Sequence, residues 1–448
     1  MTFRAEHPDD PPRDRARASD STSASSSTAS PGSAAVSGAK PALPENPRDA
    51  AFEQHWRRNL AVCVVGSFTT LVAMTLMLPF LPLYVEELGV RGHAAIVQWS
   101  GIAYSATFFT AALVAPVWGR LGDRYGRKPM LVRASLGMAI TMSLIGMSRN
   151  IWQLVALRLL AGFAGGYSSG STILVATQTP RHRSAWALGV LSSGIMAGNL
   201  IGPLVGGLLP PLIGLRATFW VAGATIFAAF VATCVFVKEA PRPARASHHA
   251  AHKGGWSALP DKRPIAAMLV TGMLLMLANM SIEPIITVYV ATLVHDPARV
   301  TFVAGLAMSA AALGSIVAAS RLGRVADRVG HAKVIVGALA VSAVLLVPQA
   351  FVTAGWQLVA LRFLMGVSLA ALLPCIATVI RHNAPDHAAG SVLGYSVSAQ
   401  FAGQVVGPLI GGFVGGHLGM RAVFLGTSLL MLAGAVFAWR AVGFARRA

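Results

Sequence analysis

The sequence predicts an all-α membrane protein of twelve transmembrane helices, arranged as two pseudo-symmetric six-helix bundles. Three observations carry that prediction. Hydrophobic residues make up 54% of the 448 residues and charged residues only 12%, with a mean hydropathy of +0.61. Apolar runs of about 20 residues, the length that crosses a bilayer core as a helix, recur from Asn59 onward. The chain also repeats itself: Gly119-Arg-Leu-Gly-Asp-Arg-Tyr-Gly-Arg-Lys128 returns as Gly323-Arg-Val-Ala-Asp-Arg-Val-Gly330, and the seven residues from Trp152 to Arg158 return unchanged from Trp356 to Arg362, 204 positions later. At an offset of 205, Gly202-Pro203 matches Gly407-Pro408, Arg216 matches Arg421 and Pro79 matches Pro284.

The first 56 residues are rich in Ser, Ala, Pro and Arg and offer no apolar face, so they read as a disordered cytoplasmic tail without the apolar segment of a signal peptide. Six spans are expected in residues 57–237, near 59–84, 96–118, 129–147, 151–177, 185–209 and 217–237. A hydrophilic linker follows over 238–263. Six more spans are expected in residues 264–441, near 264–290, 300–320, 334–352, 356–380, 389–414 and 421–439, before a tail at 442–448.

The net charge of +19 invites a nucleic-acid reading, but its placement argues otherwise. The expected topology puts 28 of the 36 Lys and Arg on the side of the termini and five on the other, while the tail itself is neutral. That asymmetry is the positive-inside signal and makes the termini cytoplasmic. Cys63, Cys234 and Cys375 stand singly within spans and read as small packing residues. His248, His249 and His252 in the linker lack an accompanying acid or cysteine, which favours a solvated loop over a metal site. No nucleotide-binding loop, metal cluster or nucleophile with a base is present, so neither catalysis nor a cofactor is expected.

Along the spans, a few features point to function and each has a plainer reading. Prolines at the outer ends of the first span (Pro79, Pro82) and the seventh (Pro284) break the helix. Broken helices in matching places of two halves are where secondary transporters build binding sites, although a packing kink explains them equally well. Glu283 is the one acid placed well within an apolar segment; it is either functional or an interfacial carboxylate. Arg158 lies deep in the fourth span and demands a partner or water, but its repetition as Arg362 suits a structural anchor. Gly194, Gly198, Gly202 and Gly206 form a small-residue stripe on the fifth span, repeated by Gly403, Gly407 and Gly411 on the eleventh, which close packing between the halves would explain. Met268, Met273, Met276 and Met280 on the seventh span are polarizable enough for a varied ligand, and ordinary enough as core filler. The turn at 119–128 has cations that set topology, and Gly119, Gly122, Gly126 and Asp123 that a mere topology signal would not need.

These motifs carry a resemblance. Gly-x-Leu-x-Asp-Arg-x-Gly-Arg-Lys at 119–128 is similar to the signature loop of the major facilitator superfamily, and Gly198-x-x-x-Gly-Pro-x-x-Gly-Gly207 to the antiporter motif of its drug:proton exporters. Arg158 falls on their fourth-span arginine. The run Leu78-Pro-Phe-Leu-Pro-Leu-Tyr-Val-Glu-Glu-Leu-Gly89 looks most like the MdtG-type multidrug efflux proteins. Gly122 stands where the family prefers Ala or Ser, His331 stands where the second loop would have Arg, and the first span lacks the acid some relatives place there. The resemblance implies a monomeric inner-membrane exporter of amphiphilic drugs, driven by protons and working by alternating access. With no acid in the first span, the proton carrier expected is Glu283, the lone acid of an apolar segment, with Arg158 as its electrostatic counterpart. The resemblance further implies a cytoplasmic gate of Gly119, Asp123, Arg124, Gly126, Arg127, Asp327 and Arg328, and an antiporter-motif helix carrying Gly198, Gly202, Pro203, Gly206 and Gly207. A cavity among spans 1, 4, 7 and 10 would draw on Met74, Asn199, Asn279, Gln400 and Gln404. In an outward-open state Asp123 would face the start of the eleventh helix near Ala389, Gly390 and Ser391, and Asp327 the start of the fifth near Ser184 and Ala185. A transporter of a defined metabolite is the alternative, and a non-transporting sensor a third class.

Overall fold

The computed structural model describes residues 47–239 and 262–445; most of the N-terminal tail, most of the linker with its three histidines, and the last three residues lie outside that range. The first half of the chain contains α1 (Pro47–Thr75), α2 (Leu81–Glu87), α3 (His93–Tyr125), α4 (Arg127–Ile145), α5 (Ile151–Ala164), α6 (Tyr167–Gln178), α7 (Ser184–Ile213) and α8 (Leu215–Phe236). The second contains α9 (Arg263–Ile282), α10 (Ile286–Leu293), α11 (Pro297–Val329), α12 (His331–Gln349), α13 (Gly355–Leu369), α14 (Leu372–Asn383), α15 (Asp386–His417) and α16 (Met420–Ala445). Among the described residues, eleven segments are long and apolar enough to cross a membrane. The twelfth span is α4, whose apolarity is diluted by Arg127, Lys128 and Arg133 within 19 residues, and which packs against α5, α6 and α8.

Spans 1, 4, 7 and 10 are each made of two helices, and the cause is local chemistry. A proline cannot donate to the carbonyl four residues earlier and its ring crowds that carbonyl. Accordingly α1 ends at Thr75, four residues before Pro79, and α13 gives way at Ala370, four residues before Pro374. Span 7 carries Pro284 in a 3-10 turn over Glu283–Ile285, between α9 and α10. Span 4 uses Gly165 and Gly166 instead, the latter at φ +106°, a left-handed conformation suited to glycine. The prolines announce the first and seventh breaks; those in spans 4 and 10 are additional findings.

The repeat in sequence is a repeat in contacts. The Tyr84 hydroxyl donates to the Ile145 carbonyl at 2.6 Å and its ring lies 4.9 Å from Phe219. The Tyr289 hydroxyl donates to the Gln349 carbonyl at 2.8 Å with its ring 5.0 Å from Phe424. Each pair fixes the far part of a broken span against the end of a neighbouring helix, so both halves set their breaks at the same depth.

The two halves meet along α3 with α15 and α7 with α11. A Cβ on Gly101 would strike the Pro408 carbonyl oxygen, and one on Gly305 that of Pro203. The Ser105 hydroxyl donates to the Val405 carbonyl and the Ser309 hydroxyl to the Leu200 carbonyl, both at 2.7 Å. All of these lie in the parts of the helices remote from the basic turns. Toward the basic turns, Cβ atoms on Gly119, Gly189, Gly323, Gly390 and Gly394 would meet nothing within 4 Å. The halves are therefore joined at one end and parted at the end that carries the basic turns.

The glycine stripes correct an expectation. Cβ atoms on Gly194, Gly198, Gly202 and Gly206 would strike α1 or the turn that follows it, at Val64, Leu71, Thr75 and Leu76, all in the same half. Gly403, Gly407 and Gly411 approach α9 and the end of its span in the same way. Neighbouring positions turn to the other half: Gly207 to Thr301 on α11, and Gly412 and Gly416 to Val97 and Ala94 on α3. Each stripe joins the broken span of its own half to its own bundle, and other glycines make the close contacts between bundles.

Candidate functional site

Within the spans the described charges are few, and each has a distinct setting. Arg133 on α4 donates to the carbonyls of Phe163 (3.1 Å) and Gly165 (2.9 Å), the groups freed where α5 gives way to α6. Its guanidinium lies 3.6 Å from the Trp118 ring, and the Trp118 indole donates to the same Phe163 carbonyl at 2.9 Å. Broken backbone inside a membrane needs such replacement partners; in the sequence this one is only a cation in the third span and a Gly-Gly pair 32 residues later.

Arg158 on α5 is 1% exposed. Its Nε donates to the Ala103 carbonyl at 3.1 Å, and one terminal nitrogen to the Met77 sulfur at 2.9 Å. Met77 is within reach because it sits in the turn that follows α1. The guanidinium carbon also lies 5.8 Å from the Tyr104 ring, and the Thr107 hydroxyl donates to the Arg158 carbonyl at 3.0 Å. Span 4 is thereby tied to span 2 and to the first break, with a compact partner set for the charge.

Arg362 on α13 occupies the matching place and is equally buried, at 1% exposed. The backbone frame around it is the same: a Cβ on Gly366 would strike the Ala311 carbonyl oxygen, as one on Gly162 would strike that of Thr107. The partners are not the same. The offsets convert Met77 to Ile282, Tyr104 to Met308 and Thr107 to Ala311, and the Nε and one terminal nitrogen of Arg362 have no hydrogen-bond partner among the described residues. At the position matching Leu78 stands Glu283, half-buried in the break of span 7. The cation acting electrostatically on Glu283 is Arg362, and Glu283 in turn acts on Tyr104 of the first half. Arg158 was the counterpart expected for Glu283; the arginine whose charge bears on Glu283 is that of its own half, while Arg158 lies against the Tyr104 ring.

At the basic end, α3 continues as helix to Tyr125, so Gly119 and Gly122 are helical rather than part of a turn, and Gly126 alone makes the turn at φ +97°. Asp123, near the end of α3, forms an ion pair with Arg127 at the start of α4, across the Gly126 turn. Glu239, read from sequence only as a linker acid, accepts from the backbone N–H of Arg127 and of Lys128, each at 2.8 Å. A carboxylate there satisfies donors at the start of α4 and faces the positive end of its dipole. Gly126 leaves the room, since a Cβ would sit 2.8 Å from that carboxylate. Nothing local in the sequence marks a cap 112 residues away. In the second half Asp327 lies 3.4 Å from the His331 ring nitrogen, beside Arg328 and the turn at Gly330. By the offset of 205, Glu239 has Phe444 as its counterpart. The contact expected of Asp123 with the start of α15 belongs to a molecule closed at this end; here the Asp123 side chain is 56% exposed and paired within its own turn. Arg124 lies over the Tyr125 ring at 5.3 Å.

The remaining candidates are dispersed. Gln404 reaches the Met276 sulfur on α9 at 3.8 Å, and Gln400 is the nearest neighbour to a Cβ placed on Gly272. Asn279 and Met74 are half-buried on α9 and α1, while Asn199 is exposed on α7.

This architecture has known counterparts. A family model described as Major Facilitator Superfamily matches residues 63–298 and 300–447. Multidrug resistance protein MdtG of Serratia proteamaculans is 44% identical over 385 residues, which cover 86% of this chain and 94% of that protein. MdtG of Salmonella typhimurium is 42% identical, with 87% and 96% covered. Among solved structures, the nucleoside transporter NupG is similar with a TM-score of 0.69 at 14% identity, over 85% of this chain and 99% of that one. A bacterial homologue of the human lysosomal transporter Spinster, in an inward-facing and occupied conformation, gives 0.70 at 14% identity, over 86% and 96%. These two likenesses speak for the fold alone. The family match spans nearly the whole of the described helical body, and the two-bundle plan with its paired basic turns agrees with it: the chain belongs to the Major Facilitator Superfamily, in the group of the MdtG multidrug resistance proteins.

Proposed function

We propose that the protein is a proton-coupled secondary transporter that exports small amphiphilic compounds across the bacterial inner membrane by alternating access, as a monomer. The moving bodies are residues 57–237 and 264–441, joined by the linker at 238–263. The basic end faces the cytoplasm, because 28 of the 36 Lys and Arg gather there. The observation that carries the reading is Glu283, an acid in the break of span 7, in a chain 44% identical to a multidrug resistance protein.

In the parted state seen here, a compound enters between the bundles from the cytoplasm while Glu283 gives up its proton to that side. Closure of the cytoplasmic end then takes Asp123 from its local pairing with Arg127 to the N-terminus of α15, near residues 389–391, where unpaired N–H groups favour an anion. The serine and glycine contacts at the other end part, the compound leaves, and a proton from outside returns to Glu283. The polar cavity groups, Asn199, Asn279, Gln400 and Gln404 with Met74, are few and scattered, which suits varied amphiphiles better than one metabolite that needs many fixed partners.

Purified protein in proteoliposomes, loaded with several chemically unrelated cationic, neutral and anionic dyes, tests this reading. An imposed proton gradient is expected to drive export of more than one dye, and Glu283→Gln to reduce that export to the level of empty vesicles while dye binding remains measurable. Gradient-independent export, export of a single compound class, or a fully active Glu283→Gln variant would each count against it.

A further inference from the structure

We propose that Arg362 is a positioning residue for proton coupling: it is the counter-charge of Glu283 across the break in span 7, a role its twin Arg158 does not share. The consequence for transport rests on Glu283 being the coupling carboxylate, whereas the pairing itself stands on the unpartnered nitrogens of buried Arg362 and the place of Glu283 in the break of the same half. Both arginines are held by the same backbone frame, in which Gly162 and Gly366 let a neighbouring carbonyl of span 2 or span 8 come close. In the first half that frame is complete, because Ala103 and Met77 take up the guanidinium. In the second half, Ile282 stands in place of the sulfur and two guanidinium nitrogens have no partner among the described residues, although the residue is 1% exposed.

A cation is kept inside a membrane span where it meets a partner or a water path. Next to Ile282 is Glu283, where the first half has Leu78. The second half has thus exchanged a neutral sulfur acceptor for a carboxylate one residue further along the same break. The charged and titratable groups acting on Glu283 can be named element by element. From α13 comes Arg362, and from α3 comes Tyr104. α15 and α2 also pack against the turn that holds Glu283; on α2 the Tyr84 hydroxyl is taken up by Ile145 and Ser148. Ionised Glu283 and Arg362 form a pair with no net charge. When Glu283 binds a proton, the carboxyl becomes neutral, Arg362 keeps its charge, and the pair becomes cationic. The charge state of the core, and with it the preference for one arrangement of the bundles, changes by one unit per proton.

The test follows the Glu283 carboxyl directly. Infrared difference spectra of the full-length protein in lipid nanodiscs, titrated over pH, show the protonated carboxyl band of Glu283 as the band that Glu283→Gln removes. Loss of a neighbouring cation leaves a carboxylate protonated to higher pH, so in Arg362→Met the band is expected to persist to a pH higher by about one unit, a tenfold change in proton activity. Arg362→Lys is expected to restore most of that shift, and Arg158→Met to leave the midpoint within a few tenths of a unit. An unchanged midpoint in Arg362→Met, or an equal shift in Arg158→Met, overturns the proposal. If Arg362→Met fails to fold, the pair predicts that adding Glu283→Gln rescues it, because removing one partner strands a buried charge and removing both does not; no rescue overturns the proposal as well. A shifted midpoint together with a transport-competent Glu283→Gln variant would keep the pairing and refute proton coupling at Glu283, so the two readings fail separately.

Discussion

Arg158 and Arg362 sit at matching positions of a duplicated bundle, equally buried, and only one of them is fully accommodated by its own half. Arg158 finds a carbonyl, a thioether and an aromatic ring within the first six spans. Arg362 keeps the frame but has apolar residues in place of the ring and the sulfur, and Glu283 beside the break. The comparison teaches that the duplication supplies a scaffold for a buried cation twice, and that loss of the internal partners in one copy is what makes the charge available. A buried cation with a complete partner set anchors helices; one without can respond to a proton.

The largest effect expected from this contrast is on the anchored side. Arg158→Met removes charge-assisted hydrogen bonds that are each worth about 1.5 to 3 kcal/mol, so gradient-driven efflux at matched membrane levels should fall about tenfold or more. Arg149→Met removes a cation just outside the same span, near the N-cap Asn150, and should leave efflux within about twofold, as surface charges usually do. Equal activities would show that Arg158 merely fills space and would dissolve the comparison with Arg362.

A second asymmetry between the halves is smaller and lies at the basic end. Glu239 caps α4 through the N–H groups of Arg127 and Lys128, and the equivalent position of the second half is Phe444, a residue type with no carboxylate to offer α12. Glu239→Ala should cost about 1 kcal/mol, the usual worth of such a cap. That appears as roughly fivefold faster hydrogen exchange at the amides of Arg127 and Lys128, with the amides that open α12, Ala332 and Lys333, unaffected. Unaltered exchange at Arg127 and Lys128 would mean that the turn holds without its cap.

How far these features were legible in the sequence depended on their range. The repeat, the two-bundle plan and the breaks at Pro79 and Pro284 are written in neighbouring residues, and so are the two basic turns. The break in span 10 was hidden because Pro374 acts on a carbonyl four residues earlier, between two ordinary residues, and the break in span 4 because Gly165-Gly166 reads equally as a smooth packing face. Glycines every four residues announced close approach but not the neighbour, which is α1 for Gly198 and Gly202 and the other bundle only for Gly207. The Glu239 cap and the Arg133 bonds to freed carbonyls join residues 112 and about 30 positions apart, and no periodicity encodes them.

The smallest effect expected is also the one that tests whether the halves are ever equivalent. Ser105 donates to the Val405 carbonyl and Ser309 to the Leu200 carbonyl, both at 2.7 Å, and the repeat relates donor to donor and acceptor to acceptor. Both bonds cross between the bundles, so both belong to the state joined at this end, and neither involves the charges that set Arg158 apart from Arg362. Hydrogen bonds between membrane helices average about 0.6 kcal/mol, close to RT, so either Ser→Ala change should lower the joined-to-parted ratio about threefold, and the pair together about tenfold if they act independently. Spin labels placed at the outer ends of α3 and α15, with distances measured in nanodiscs, read that ratio directly. Equal shifts for Ser105→Ala and Ser309→Ala would mean that the closure is symmetric and that the asymmetry of the molecule is confined to its buried charges and its cap. A shift in one variant alone would mean that the two bundle contacts open in sequence rather than together, and that the functional difference between the halves extends from the arginine sites to the hinge itself.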